Sequence, residues 1–461
     1  MARAPVTAAF LDQLRAELPG LRLLTDEGDR ESYRSDEASY LKSQLPLAVA
    51  LPDTTEDVSA IVRVAAEHRV PIVPRGAGTG LSGASGGIEG AITVAFARMN
   101  RILEIDRSNL IAVVQPGVIN ADLKAAVAKE RLFYPPDPAS FEMCSIGGNI
   151  GTNAGGLCCV KYGVTRDSVL GLEVVLADGS VIRTGGRNVK DVAGYALTHL
   201  FVGSQGTLGL VTEATLRLRP APPPKATLLA FFDETDGAGD AVERITAAGL
   251  VPCTLVLMDR VTIRAVNDAF HLELPDAAAL LLIESDLPGA AAEAELDAAA
   301  GAAEAAGSTE LVRATSAMEA DGLRQARRLA LRAIEKLGAT RMEDVGAPRS
   351  KLGELLDAIN RVVAEHGLNC GTFGHAGDGN LHPTFWWERG DADAEARVTA
   401  ACEELYRAAI ELGGTVTGEH GIGVARLKFL ELQRGPGAVR VMHQIKTALD
   451  PLNLLNPGRA I

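Results

Sequence analysis

PRGAGTGLSGASGG, residues 74–87, decides how the first half of this chain is read. It contains G-x-G-x-x-G at Gly78, Gly80 and Gly83. That spacing marks a nicotinamide-type dinucleotide fold only when a strand precedes it and a helix opens on its last glycine. The strand is present as VPIVP (70–74), but the continuation ASGGIEGAITVAF carries too much glycine for a first helical turn and leads into another strand. The segment is expected as strand–loop–strand, its successive backbone N–H groups lining a concave anion site.

Two further segments extend the pattern. PPDPASFEMCSIGGNIGTNAGG (135–156) joins a rigid proline-rich entry to a Gly- and Asn-rich loop that can pass a flat ligand without side-chain obstruction. FVGSQGTLGLVTEATLRL (201–218) turns tightly and enters an alternating strand. Any one of them alone would pass for a turn. Three in one region, in a chain with no GxxxxGK[ST], point to a cradle for a cofactor. Of the 48 glycines, 31 fall in five windows: 76–90, 147–163, 171–209, 367–379 and 413–423.

The chain around these loops has 461 residues, enough for two or three domains. With 47% apolar residues and no short glycine or proline period, neither general disorder nor collagen fits. Lys and Arg number 45 against 59 Asp and Glu, a net charge of −14 that repels phosphate backbones, so no nucleic-acid partner is expected. No apolar run reaches the ~18 residues of a transmembrane helix, and Asp12 interrupts the N-terminal stretch before a signal-peptide core develops. Six cysteines without CxxC spacing make neither a disulfide framework nor a zinc or iron–sulfur motif. A soluble protein of a reducing compartment is expected.

LAVAL (47–51), AITVAF (91–96), IAVVQPG (111–117) and LGLEVVLADG (170–179) read as strands, and TTEDVSAIVRVAAEHR from Thr54 as an N-capped helix. PAPPP (220–224) is the best domain boundary, giving domains 1–219 and 220–461, the core of the first at about 42–219. Beyond it ATLLAFF (226–232) and CTLVLM (253–258) read as strands, and the Ala/Glu-rich stretch 288–307 as an exposed helix.

Chemistry gathers near the end. NCGTFGHAGDGNLHPTFWW (369–387) reads as strand, GDGN turn, strand, which would bring His375 and His382 near one another. GGTVTGEHGIG (413–423) sets Glu419 and His420 in another glycine-rich loop. A pair of histidines by itself is more often structural. With Glu419 they make two imidazoles and a carboxylate, a ligand set for a catalytic divalent ion with an open position. No H-E-x-x-H is present, so the helical zinc-protease arrangement is excluded on spacing.

PRGAGTGLSG, SIGGNIGTNAGG, VGSQGTLGLVTEATLRL, GHAGDGNLHP and GEHGIG, in this order, resemble the FAD-linked oxidase family, whose flavin domain is of the vanillyl-alcohol-oxidase type. The similar branch holds glycolate oxidase FAD subunits, D-lactate dehydrogenases and D-2-hydroxyglutarate dehydrogenases. The resemblance implies an α+β fold: a two-subdomain FAD-binding domain, an α+β cap domain with an antiparallel sheet, and a C-terminal segment returning to the flavin.

For FAD it implies a pyrophosphate loop of Pro74, Arg75, Gly76, Ala77, Gly78, Thr79, Gly80, Leu81 and Ser82. Around the isoalloxazine and ribityl it implies Pro136, Asp137, Pro138, Cys144, Gly147, Gly148, Asn149, Thr152, Asn153, Gly155 and Gly156. On the adenine side it implies Gly203, Ser204, Gly206, Thr207, Leu208, Gly209 and Val211, with Asn456 in the returning segment. Some relatives attach flavin through a His in the first loop; none stands between Pro71 and Gly90, so non-covalent FAD is implied. Gln205 and Ala196 depart from the family pattern, which has Glu and Asp at those places.

The same resemblance makes His375, His382 and Glu419 ligands of a divalent metal, zinc in the first instance, and His420 the base. Arg327, in the basic helix LRQARRLALRAIEK (323–336), would bind the substrate carboxylate, with Arg324 one turn away on the same face. Where D-2-hydroxyglutarate dehydrogenases carry Thr and Lys for a distal carboxylate, this chain has Leu331 and Met342, which implies a smaller anionic acid such as glycolate or D-lactate. The expected reaction is metal-assisted oxidation of that D-2-hydroxy acid, with His420 taking the hydroxyl proton as hydride moves to flavin N5.

Electrons would leave to a quinone, a cytochrome, an electron-transfer flavoprotein or an iron–sulfur subunit; oxygen stays open as acceptor. A cytoplasmic protein, peripheral at the membrane, and a homodimer both accord with this reading. Three alternatives remain: a D-2-hydroxyglutarate dehydrogenase, a non-redox FAD enzyme of the alkyldihydroxyacetone-phosphate synthase type, and a non-catalytic flavin subunit of a larger complex.

Overall fold

The computed structural model describes residues 3–271, 273–314 and 316–461. The chain forms two compact units, each discontinuous in sequence. The first comprises residues 3–155, 163–221 and 419–461, and the second residues 156–162 and 222–418.

Within the first unit, β1 (Arg22–Leu24), β2 (Ala48–Leu51), β3 (Ile72–Arg75) and β4 (Ile92–Ala95) form a sheet in the order β1-β2-β4-β3. β1 runs antiparallel to β2, and the other pairings are parallel. Parallel neighbours need a long crossover. The chain passes from β2 through helix Thr55–His68 to β3, on the far side of β4, and returns to β4 by the glycine loop 76–91. That helix starts where Thr54 and Asp57 satisfy each other's backbone N–H, and Val58, Ile61, Val62 and Ala65 bury its apolar stripe against Ile72, Ile92 and Phe10.

A second sheet holds β5 (Ile102–Asp106), β6 (Ile111–Val114), β8 (Val169–Val175), β9 (Val181–Gly185) and β10 (Leu210–Arg217), all antiparallel, in the order β5-β6-β10-β8-β9. β7 (Leu132–Phe133) and β11 (Arg219–Pro220) pair separately. Burial along β10 alternates strictly: Ala214 and Leu216 enter a core with Ile146, Ile150 and Leu208.

The second unit is built on one antiparallel sheet of eight strands: β12 (Ala226–Phe232), β13 (Thr254–Asp259), β14 (Ala279–Ser285), β15 (Ser308–Arg313), β16 (Ala339–Met342), β17 (Val345–Gly346), β18 (Asn369–His375) and β19 (Asn380–Trp387). Their order is β15-β12-β14-β13-β18-β19-β16, with β17 also on β19. Leu229, Val256, Met258, Leu280, Leu282 and Phe373 form a buried cluster with helices Arg260–Phe270 and Ala330–Glu335.

Three local expectations change. The stretch expected as an exposed helix is a helix, Ala290–Ala305, but Ala292, Leu296, Ala299 and Ala303 bury one face of it; small alanines let it lie close on the sheet. SIGGNIGT, expected as a loop, forms the short helix Ile146–Thr152, because Ser145 Oγ accepts the Gly148 N–H at 3.2 Å and offsets its poor propensity. The basic helix over 323–336 is two helices, Ala317–Arg328 and Ala330–Glu335, joined at Leu329.

Candidate functional site

In the first unit the three glycine segments meet through backbone. The first loop leaves β3 with Arg75 turned inward: its guanidinium donates to Ser35 O at 2.9 Å and Ser85 O at 3.3 Å. Gly78, at φ 82°, has no Cβ because that guanidinium occupies the space. Gly76 lies against Ser145 and Gly148, so the loop abuts the start of helix Ile146–Thr152.

In the second segment the Asn149 amide is buried, accepting from Asn120 Nδ2 at 3.0 Å and donating to Cys144 Sγ at 3.2 Å. Burial pushes the Cys144 thiol up, against that hydrogen bond. Asn120 also donates to Pro136 O at 3.2 Å, fixing the proline entry. Thr152 donates to Gly148 O, and Asn153, left-handed at φ 55°, accepts from the Arg166 amide.

The third segment is stitched onto this helix: Gly203 N–H donates to Ile150 O at 2.8 Å and Gln205 N–H to Gly151 O at 2.9 Å. Residues 419–461 complete the arrangement. Gln205 Oε1 accepts the Gly423 N–H at 2.9 Å, its Nε2 donates to Ser82 Oγ at 3.3 Å, and Val424 N–H donates to Ser82 O at 2.8 Å. Asn456 Nδ2 donates to Gln205 O at 2.7 Å and to Ala84 O at 3.0 Å. One side-chain amide thus links the first and third segments to the GEHGIG loop. Glu419 packs against Gly155, and His420 Nε2 stands 3.7 Å from Glu419 Oε1.

These residues fit FAD. Asn456, 1% exposed, has an Oδ1 with no protein partner, which can accept from a bound molecule.

In the second unit β18 and β19 form the hairpin expected over 369–387, its turn a 3₁₀ segment, Ala376–Asp378, followed by Gly379 at φ 73°. His375 and His382 are both buried, their rings 5.3 Å apart and nearly perpendicular. Two converging imidazoles fit a borderline divalent ion. His382 Nδ1 is 3.9 Å from Asp344 Oδ1, and Asn380 Nδ2 and Thr417 Oγ1 hold that carboxylate at 2.7 and 2.6 Å. Asp344 was not singled out from sequence. The available signal is two adjacent acids, Glu343 and Asp344, between Met342 and Val345; both are fully buried.

Helix Ala317–Arg328 carries the two arginines to different neighbours. Arg327, 4% exposed, stacks its guanidinium carbon 4.6 Å from the centre of the Phe373 ring. Phe373 lies 5.7 Å from His382, so Arg327, Phe373, His382 and His375 form a contiguous row. Arg324 donates to buried Glu284 at 2.8 Å, and Lys225 to the other oxygen at 2.9 Å. Burial pushes the Glu284 carboxyl up, but Lys225 and Arg324 overcome it and hold it below the usual range. Leu331 and Met342 pack against the cluster that contains Phe373.

All six cysteines lie outside disulfides, and among the described residues no helix is long and apolar enough to cross a membrane.

The family described as FAD linked oxidases, C-terminal domain, matches residues 221–460, and the FAD binding domain matches residues 46–185. Glycolate oxidase subunit GlcD of Bacillus subtilis (strain 168) is 47% identical, over 92% of this chain and 91% of that protein. D-lactate dehydrogenase of Anaerostipes hadrus is 33% identical, over 98% and 97%. Among solved structures, p-cresol methylhydroxylase with substrate bound covers 99% of this chain and 97% of its own, at TM-score 0.79 and 19% identity, a likeness of fold alone. With a vanillyl-alcohol-oxidase-type fold, and both halves matched, this chain belongs to the FAD-linked oxidase family and is an FAD-dependent oxidoreductase.

Proposed function

We propose that this protein oxidises a small D-2-hydroxy acid, glycolate or D-lactate, to the 2-oxo acid, with FAD bound non-covalently in a domain of residues 1–219 and substrate held by 220–461. The observation that carries this reading is the row Arg327–Phe373–His382–His375, a buried cation one aromatic ring away from two imidazoles. The names of the Bacillus and Anaerostipes relatives support the substrate class.

Arg327 offers a bidentate fork to the substrate carboxylate. Leu331 and Met342, apolar and part-buried, favour a short acid over one with a distal carboxylate. His375, His382 and Glu419 would hold a divalent ion, zinc by ligand type. Asp344 stands behind His382, and such outer carboxylates fix the orientation of a ligating ring. His420 takes the proton from the substrate hydroxyl, with Glu419 beside it. When bound, FAD supplies the hydride acceptor and the ion lowers the pKa of the hydroxyl.

The Bacillus relative is named as a subunit, which supports a companion subunit, here proposed as the electron acceptor. The test is anaerobic bleaching of the flavin by D- and L-2-hydroxy acids with and without chelator. Bleaching by glycolate or D-lactate that chelator suppresses is the expected result; no bleaching by any acid would overturn the reading.

A further inference from the structure

The end of the chain pairs with the strand that leads into the first glycine segment. Ile72 N–H, on β3, donates to Leu454 O at 2.8 Å, and Asn456 N–H donates to Ile72 O at 2.7 Å. Three residues further on, Arg459 reaches that segment itself: its Nη2 donates to Gly86 O at 3.3 Å. The neighbouring carbonyl, Ser85 O, accepts from Arg75. Two guanidinium groups, far apart in sequence, thus hold consecutive residues of one loop.

The charges on this face do not balance. Among the described residues Arg459 forms no ion pair; its hydrogen bonds go to neutral carbonyls, Gly86 O and, at 3.5 Å, Gly458 O. A guanidinium has five N–H donors, and the buried Nε–H of Arg459 has no acceptor. The acid whose charge acts on it is Asp36, which also acts on Arg75. Asp36 is buried, its Oδ1 accepting the Ala38 N–H at 3.1 Å, and burial pushes its carboxyl up. Burial pulls both guanidinium groups below their ordinary range, whereas carboxylates hydrogen-bonded to Arg34, Arg98 and Arg187 hold those above it. Two cations and one carboxylate leave a positive charge uncompensated, and a cation withdrawn from water is costly without a counter-charge.

We propose that Arg459 is a cofactor-binding residue whose guanidinium meets the FAD diphosphate on the glycine loop it shares with Arg75. The diphosphate is the anionic part of oxidised FAD, and the guanidinium fork matches two phosphate oxygens at once. The proposal concerns how flavin is held, so it stands or falls independently of the substrate.

The first test is FAD release from holoprotein on dilution, followed by flavin fluorescence. In Arg459→Met the Kd for FAD is expected to rise at least about tenfold, the loss of a hydrogen bond to a charged group. Arg459→Lys keeps the charge without the fork and is expected to fall between the parent and the Met variant. An unchanged Kd in Arg459→Met overturns the proposal.

A second measurement separates direct contact from a clamp on Gly86, and its central readout needs no variant. In frozen holoprotein labelled with 15N-arginine, the 31P signal of bound FAD is expected to be dephased by guanidinium nitrogen in a rotational-echo double-resonance experiment. Arg459→Lys, loaded with excess FAD, is expected to lose a clear part of that dephasing. No dephasing in the parent, or the same dephasing in Arg459→Lys, assigns Arg459 to holding the loop and overturns the proposal, whatever the change in Kd.

Discussion

The side-chain carbonyl of Gln205 accepts the backbone N–H of Gly423 at 2.9 Å, so a residue of the third glycine segment holds the loop that carries Glu419 and His420. The opposite end of the same amide donates to Ser82. A side chain with one donor and one acceptor end satisfies both neighbours at a site 5% exposed to solvent. Gln205→Leu leaves the buried Gly423 N–H without its acceptor, at a cost of about 1–3 kcal/mol. Urea unfolding of the holoprotein should show that loss together with faster FAD release; unchanged flavin retention would contradict it.

His375→Ala and His382→Ala are each expected to lower bound divalent metal at least about tenfold and to suppress flavin bleaching, while the flavin absorbance spectrum persists. Metal analysis of the purified variants, compared with their absorbance near 450 nm, checks this. Full metal occupancy in both variants would remove these residues from the ligand set.

Asp259 gives a pH dependence with a definite sign. Burial pushes its carboxyl up to about 6, against hydrogen bonds from Thr262 and Thr372. The native state then keeps a proton that the unfolded chain has already released, so this group's contribution to stability falls as pH rises from about 4 through about 6 and is flat above. Asp259→Asn removes that dependence. The stability of the parent relative to the variant should therefore decline across this window, by on the order of 3 kcal/mol, in urea titrations at several pH values. A constant difference would show that Asp259 does not titrate there.

Helix Leu197–Phe201 begins at Ala196, which supplies no side-chain cap. Ala196→Asp is expected to raise stability by about 0.5–1 kcal/mol, read as a higher midpoint in thermal unfolding.

Replacing Glu284 by Gln leaves Lys225 and Arg324, both part-buried, without their shared counter-charge. Breaking such a group by removing one partner costs about 3–5 kcal/mol when it is fully buried. The partial exposure of both cations lowers the expectation to about 2–3 kcal/mol in urea unfolding. No measurable loss would mean solvent already screens the cluster.

Sequence legibility followed the range of the interactions involved. The hairpin of His375 and His382 was readable because a turn sequence sits between two strand patterns, and Thr54 announced its helix through a local cap. The short helix at Ile146–Thr152 was hidden because five residues of low helix propensity outweigh one Ser145 cap in any local reading. The buried face of Ala290–Ala305 was hidden because alanine marks neither an apolar nor a polar side. Asp344 beside His382, Phe373 beneath Arg327 and Asn120 behind Asn149 depend on register between separated segments. Gln205 was visible as a departure from the family pattern, but its partner Gly423, 218 positions away, was not.

The unit that carries the three glycine segments draws on residues 419–461, whereas residues 222–418 contribute only to the other unit. On a ribosome the chain emerges in order, so Ser82 and Gln205 wait for Gly423, Val424 and Asn456 until nearly the whole protein has been made. The intervening stretch can complete its eight-stranded sheet during that wait. A nascent chain stalled before residue 419 would thus hold a finished second unit, while Ser82 and Gln205 of the first still lack Gly423, Val424 and Asn456.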